Sequence, residues 1–222
     1  MRKIIIIISV IVATTKLQSF LMKEIIAVFF FFILVYQAPL SFYNISRQSS
    51  YFLKHSRFNM PEEIVRQIIA KRITELNSFT IMPNHFHLLT QEKTDDGNGI
   101  SRYLQRIQTG YAKYFNAKYK KRGHLFQGSF RAIRVETNEQ LLYLSAYIHR
   151  NPRELKQWEN KEINYPWSSY QDFAKNNRWG KLLKPDIILD QFSGINEYYK
   201  FIKTSTAKLQ LKESLIQDLL IE

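Results

Sequence analysis

Thr80–Gln91 reads TIMPNHFHLLTQ, two histidines set two apart inside an apolar run. In a β-strand successive side chains alternate faces, so His85 and His87 point one way while Phe86 and Leu88 point the other. A buried sheet face has no use for two adjacent imidazoles unless something on that face takes nitrogen ligands. Pro83-Asn84 reads as a turn, Leu76–Met82 as the strand before it and His85–Gln91 as the strand after it. The histidine pair therefore lies just past a hairpin turn.

Outward from the hairpin, MPEEIVRQIIAKRITEL (60–76) has Pro61 near its start, Glu62 and Glu63 in its first turn, and apolar Ile64 and Ile68, which predicts a helix. KTDDGNG (93–99) is a loop. From Ile100 a second helix places Ile100, Tyr103, Leu104, Ile107, Tyr111, Tyr114 and Phe115 on one face, with Arg102, Arg106, Thr109, Lys113, Asn116 and Lys120 opposite. A Gly-bounded loop then feeds a strand around Ser129–Val135. Thr137 with Gln140 three later forms a capping box that opens a helix over NEQLLYLSAYIHR (138–150), and Pro152 ends it. IIAVFFFFILVY (Ile25–Tyr36), rich in β-branched and aromatic residues, predicts a buried strand. This order of elements predicts an α+β fold, helices packed on an antiparallel sheet. The expected organisation is an apolar extension over 1–24, a main domain over 25–156 and a C-terminal extension over 157–222, with helical spacing in LKESLIQDLLIE (211–222).

The chain has 222 residues, no cysteine and a formal charge of +13; its pI is about 9.8. Disulfides and thiolate zinc sites are excluded, and a polyanionic partner is expected. Ser101–Lys156 alone holds 12 Lys/Arg against 3 Glu, which concentrates the charge as a binding surface would. The N-terminus MRKIIIIISVIVATT has the basic start and apolar run of a signal peptide but a poor cleavage pattern, VATTKLQS. Ile25–Tyr36, at 12 residues, falls short of the roughly 20 needed to span a bilayer, and Lys16, Lys23 and Glu24 interrupt the two runs. A cytoplasmic protein without a membrane partner is expected. Membrane attachment through residues 1–36 is the competing reading, and Met22 is an alternative start.

A His-x-His strand supplies two metal ligands from one face, and a catalytic site needs a third ligand and open positions. Tyr143, Tyr147 and Asn151, spaced i, i+4, i+8, share a helix face. The bland alternative makes the tyrosines half-buried packing residues and Asn151 a cap.

Together, IMPNHFHLLTQ, YAKYFNAKYKKRGHLFQGSFRAI, LSAYIHRNPRELK and YPWSSYQDF closely resemble the single-tyrosine HUH transposases, nearest to the branch associated with repetitive extragenic palindromes and akin to IS200-like transposases. The similarity runs from about Pro61 to Phe173. It implies the ferredoxin- or RRM-like sheet of HUH endonucleases, with His85 and His87 as metal ligands, Phe86 as the bulky residue between them, Tyr147 as nucleophile and Asn151 as third ligand. Tyr143 is the alternative nucleophile, but Tyr147 rather than an amide stands four residues after it. The resemblance implies Mg²⁺ or Mn²⁺, a 5′-phosphotyrosine intermediate, and single-stranded or hairpin DNA as partner, with a homodimer compatible. Positive charge from the metal or Arg150 would help ionise Tyr147. Phosphate contacts are expected from Arg102, Arg106, Lys113, Lys120, Lys121, Arg122, Arg131 and Arg134. The alternative reading is a domesticated or decayed protein that grips hairpins without cutting them.

Overall fold

Ile4–Val10, β-branched at six of seven positions, is strand β1 in a computed structural model of the chain. The structure describes residues 4–10, 19–38, 51, 54–55, 58–127 and 129–205, with backbone alone for 4–10 and 19–25. After β1 come helices α1 (Ser19–Val35) and α2 (Glu62–Lys71), strands β2 (Thr74–Ile81) and β3 (His85–Glu92), helix α3 (Gly99–Tyr119), strand β4 (Arg131–Arg134) and helix α4 (Asn138–Arg150). Four 3₁₀ turns and short helices α5 (Tyr170–Ala174), α6 (Asp186–Leu189) and α7 (Ile195–Thr204) complete the described chain. The fold is α+β, as the pattern of elements predicts.

The four strands form one antiparallel sheet in the order β2-β3-β1-β4. Ile4–Val10, from the apolar start of the chain, is thus an interior strand of the sheet. Ile8 pairs with His87 of β3 on one side and Arg131 of β4 on the other. The greasy start that resembles a signal peptide is the continuous apolar run of an interior strand.

The strand expected over Ile25–Tyr36 is instead the second half of α1. Ile26 to Tyr36 are all buried, and a helix apolar on every side carries no 3.6-residue period to betray it. Phe29 packs on Phe86 and on Tyr111 of α3, both at 4.8 Å between ring centroids, and Phe30 packs on Phe79 at 4.3 Å. The α1 and α3 layer thus covers the sheet face bearing Phe79, Phe86 and Leu88. Tyr103 of α3 donates to the Ile33 carbonyl at 2.7 Å, and Gln37 ties the end of α1 to Leu34, Leu76 and Leu182.

α4 covers the other face. Thr80 donates to the Ile148 carbonyl at 2.7 Å. Thr137 caps α4 by accepting from the Gln140 N–H, while the Gln140 side chain accepts from Glu136 N–H, one residue before the cap. Pro152 does not stop the chain short: Asn151 keeps helical dihedrals and the backbone tightens into a 3₁₀ turn over Asn151–Glu154. Proline is accommodated there because an N–H at the head of a new turn needs no intrahelical acceptor.

Beyond α4 the chain returns to the sheet. Ile81 N–H donates to Trp167, Ser169 N–H to Phe79 and Lys184 N–H to Leu76, which seals much of the β2 edge. The expected strand at Ser129–Val135 is confined to Arg131–Arg134. The irregular stretch before Phe58 falls mostly outside the described residues, and the helix expected over 211–222 lies wholly outside them. Among the described residues no helix is long and apolar enough to cross a membrane.

Candidate active site

Alternation along β3 puts His85 and His87 on the face beneath α4, with ring centroids 4.8 Å apart. From α4, Tyr147 comes down beside them, its ring 5.2 Å from that of His87. Asn151, one turn on, brings its Oδ1 to 3.1 Å from His85 Nε2. All four side chains are at most 7% exposed. The i, i+4 spacing works because α4 lies flat on this face and Asn151 remains helical.

The hydrogen bonding around the imidazoles is incomplete. His85 Nδ1 meets Asn84 Oδ1 at 2.8 Å, so the turn residue holds the ring N–H there and leaves the Nε2 lone pair facing Asn151. A neutral imidazole has one N–H and cannot satisfy two carbonyl oxygens. Rotating the Asn151 amide lets its –NH₂ donate to Nε2; alternatively, a cation between them uses both lone pairs. His87 is buried with no partner at either ring nitrogen. Burial holds both histidines below the ordinary value of 6.5, most strongly at His87, where His85 adds repulsion. Both rings are therefore neutral, the form that ligates metal.

Two donors about 2.1 Å from one octahedral ion stand roughly 3 Å apart, close to the His85–Asn151 separation. Among the described residues no group of three or more His, Cys, Asp or Glu could hold a metal ion; the Asn151 carboxamide is the group that faces His85 Nε2. The orphaned His87 and the paired lone pairs of His85 and Asn151 fit a divalent cation.

Burial raises the Tyr147 phenol well above its ordinary 10.0; the Glu154 carboxylate raises it further and the Asn151 side chain offsets part of the rise. The charged group that acts on the Tyr147 phenol is the Glu154 carboxylate, which opposes the aid to ionisation expected from Arg150. Tyr143 is half-buried and packs on Phe201 of α7 at 6.0 Å.

The basic residues lie on several elements. Arg102 and Arg106 ride on α3, behind the opposite sheet face, where Arg102 pairs with Asp96 at 2.9 Å and Arg106 buries Nη1 without a partner. Lys113, Lys120, Lys121 and Arg122 are exposed along the end of α3 and the loop after it, as is His124. Arg131 and Arg134 are exposed on β4, and Arg134 pairs with Glu136 at 3.4 Å. Arg131 falls in the cross-strand row Arg131–Ile8–His87, which gives it the face of the histidine pair, two strand spacings or about 10 Å away. Asn84 and Glu154 are site neighbours that sequence reasoning missed. In the sequence Asn84 reads only as a turn former, and Glu154 is three residues past Asn151, one 3₁₀ turn.

Residues 42–151 match the family model described as "Transposase IS200 like". No curated protein matches the chain. Among solved structures it is similar to a REP-associated tyrosine transposase bound to a REP hairpin, with 13% identity, 78% of this chain and 80% of that one covered, and a TM-score of 0.47.

Proposed function

Because residues 42–151 of this chain belong to the IS200-like transposase family, we propose that the protein cuts and rejoins single-stranded or hairpin DNA with Tyr147 as nucleophile. His85, His87 and Asn151 would hold Mg²⁺ or Mn²⁺. The observation that carries this reading is the approach of Tyr147 to within 5.2 Å of His87, beside a His85–Asn151 pair spaced as two ligands of one ion. All four groups come from one chain. When bound, the cation offsets the negative charge of the scissile phosphate's nonbridging oxygens and orients the phosphate for in-line attack.

Tyr147 Oη attacks phosphorus and loses its proton to solvent. The P–O3′ bond breaks, the leaving 3′-oxygen takes up a proton, and the 5′ phosphate stays on the tyrosine. Reversal with the 3′-hydroxyl of another strand rejoins DNA without an external energy source, since the phosphotyrosine keeps the diester's bond energy. The low-dielectric pocket disfavours tyrosinate in the free protein, so ionisation belongs to the loaded site, where the two imidazoles bring no competing charge. Of the basic residues, Arg131 is suited to a phosphate beside the scissile one. Lys120, Lys121, Arg122 and Arg134 are suited to flanking phosphates, and Arg102, Arg106 and Lys113, on α3 behind the opposite sheet face, to a strand that wraps the molecule.

The test incubates the protein with 5′- and 3′-labelled hairpin DNA and Mn²⁺. A covalent adduct carrying the label 3′ of the cut is expected from wild type and Tyr143→Phe and absent from Tyr147→Phe. An adduct that survives Tyr147→Phe but not Tyr143→Phe would move the nucleophile. Hairpin binding with no adduct from wild type would leave only the gripping protein.

A further inference from the structure

Tyr147 and Asn151 use one flank of α4, which leaves LSAYIHRNPRELK (144–156) and YPWSSYQDF (165–173) largely without a role. The structure brings these two stretches together at His149, whose side chain is fully buried. Its Nδ1 lies 2.7 Å from Tyr198 Oη of α7, and its Nε2 lies 2.7 Å from Ser169 Oγ and 3.1 Å from Ser78 Oγ of β2. The ring stacks on Tyr170 at 5.1 Å and meets Phe173 edge-on at 4.6 Å. A single tautomer can engage both nitrogens: Tyr198 donates to Nδ1, Nε2–H donates to Ser169 Oγ, and the Ser169 hydroxyl donates to the Phe79 carbonyl at 3.1 Å. One residue before, the Ile148 carbonyl accepts from Thr80, whose Oγ1 lies 2.9 Å from Ser168 Oγ.

We propose that His149 is a positioning residue, and that residues 165–205 act through it to set where Tyr147 and Asn151 stand above the β3 histidines. An α-helix resting on a sheet can roll or slide, and a shift of about 1 Å at a reacting group costs on the order of a hundredfold in rate. Here the roll of α4 is fixed from the flank away from the site. Both ring nitrogens are engaged, one by β2 and the adjoining serine, the other by a helix 49 residues later in the chain. Removing a contact leaves the site residues and the exposed cations in place while loosening their support.

This rests on the proposed cleavage reaction, and the experiment separates the two. Tyr198→Phe removes one hydroxyl. His149→Asn keeps a polar group near the Nδ1 position, and His149→Gln keeps one near Nε2. Hairpin dissociation constants and single-turnover adduct rates at saturating DNA and Mn²⁺ are measured well below each variant's unfolding temperature. If wild type forms the adduct, the rate decides. The expected result is at least a tenfold slower adduct in Tyr198→Phe and His149→Gln with dissociation constants within twofold of wild type, and partial recovery in His149→Asn. Unchanged rates, or equal losses in binding and rate, would overturn the proposal. If wild type forms no adduct, the cleavage reading fails and amide hydrogen exchange decides. Exchange at least tenfold faster at residues 147–151 in Tyr198→Phe, with β3 unchanged, upholds the support by His149; equal exchange overturns it.

Discussion

His87 is the most informative single residue, because its surroundings serve ligation better than stability. A buried polar group without a partner costs about 1–3 kcal/mol, and both its ring nitrogens are in that position. Burial also keeps it neutral, well below its ordinary value, so in the metal-free protein the ring packs as a poor hydrophobe. His87→Leu should therefore stabilise the protein in EDTA by about 1 kcal/mol or more, read as a higher urea midpoint. In Mn²⁺ the order should reverse. Wild type gains about 2.7 kcal/mol at a hundredfold excess over its dissociation constant, and His87→Leu, with the donor gone, gains little. A destabilised His87→Leu in EDTA would mean the ring nitrogens have partners after all. An equal gain from Mn²⁺ in both proteins would place the cation elsewhere.

At the level of elements, α3 receives the aromatic rings at the end of α1 against a glycine. A Cβ at Gly110 would stand 2.7 Å from Phe32 Cε1 and 2.8 Å from the ring and hydroxyl of Tyr36. Phe32 and Tyr36 are themselves packed at 5.1 Å, so neither ring has room to yield. Gly110→Ala gains about 1 kcal/mol of helix propensity but overpacks the crossing by about 1–3 kcal/mol. A net loss near 1 kcal/mol is expected in urea denaturation, whereas Ala at exposed Thr109 should be neutral or slightly stabilising. A Gly110→Ala protein as stable as the Thr109 variant would show that α1 stands further off. The same crossing explains which elements were legible in the sequence. α3 carries polar residues opposite its apolar stripe, so its period is written out; the hairpin is written in its turn and its two-residue alternation. α1 is apolar on every side because the sheet, α3, Phe58 and Trp179 all lean on it, and its 12-residue greasy segment reads equally as strand or helix until the partners are known. The run that forms β1 reads as a buried strand or as a signal sequence, since the two share one composition. The site residues were legible because spacing of two on a strand and four on a helix survives in one dimension. Their supports were not: Asn84 and Ser169 have ordinary local roles, and Tyr198 meets His149 only through the tertiary fold.

For the molecule as a whole, three of its five histidines are buried and neutral, and this sets its response to acid. Burial lowers His149 to about 3 and lowers His85 and His87 below 6.5. The unfolded chain binds protons at these residues near pH 6.5 while the native state does not, so stability falls as pH falls. The contribution of His149 is fully present above about pH 6.5, declines through the interval, and is exhausted near pH 3. Such a group removes about 1.4 kcal/mol per pH unit once its unfolded form is protonated, so His149 alone should lower stability by roughly 2 kcal/mol between pH 6.5 and 5, and the lowered His85 and His87 deepen the fall. That is a sizeable share of the 5–15 kcal/mol typical of a folded domain. Glu63, Asp96 and Glu197 do little in this window, since all three are lowered from values of 4.5 or below and titrate at greater acidity. Urea denaturation in EDTA at half-unit steps from pH 7.5 to 5 should show the unfolding free energy falling with a slope that grows to at least the one proton that His149 supplies at the acid end. His149→Asn should flatten that slope by about one proton whatever its own stability, because slope counts protons and not contacts. A flat profile, or one that His149→Asn leaves unchanged, would mean that acid reaches the imidazole in the native state, and α4 would then lack the closed polar support that holds its tyrosine over the histidine pair.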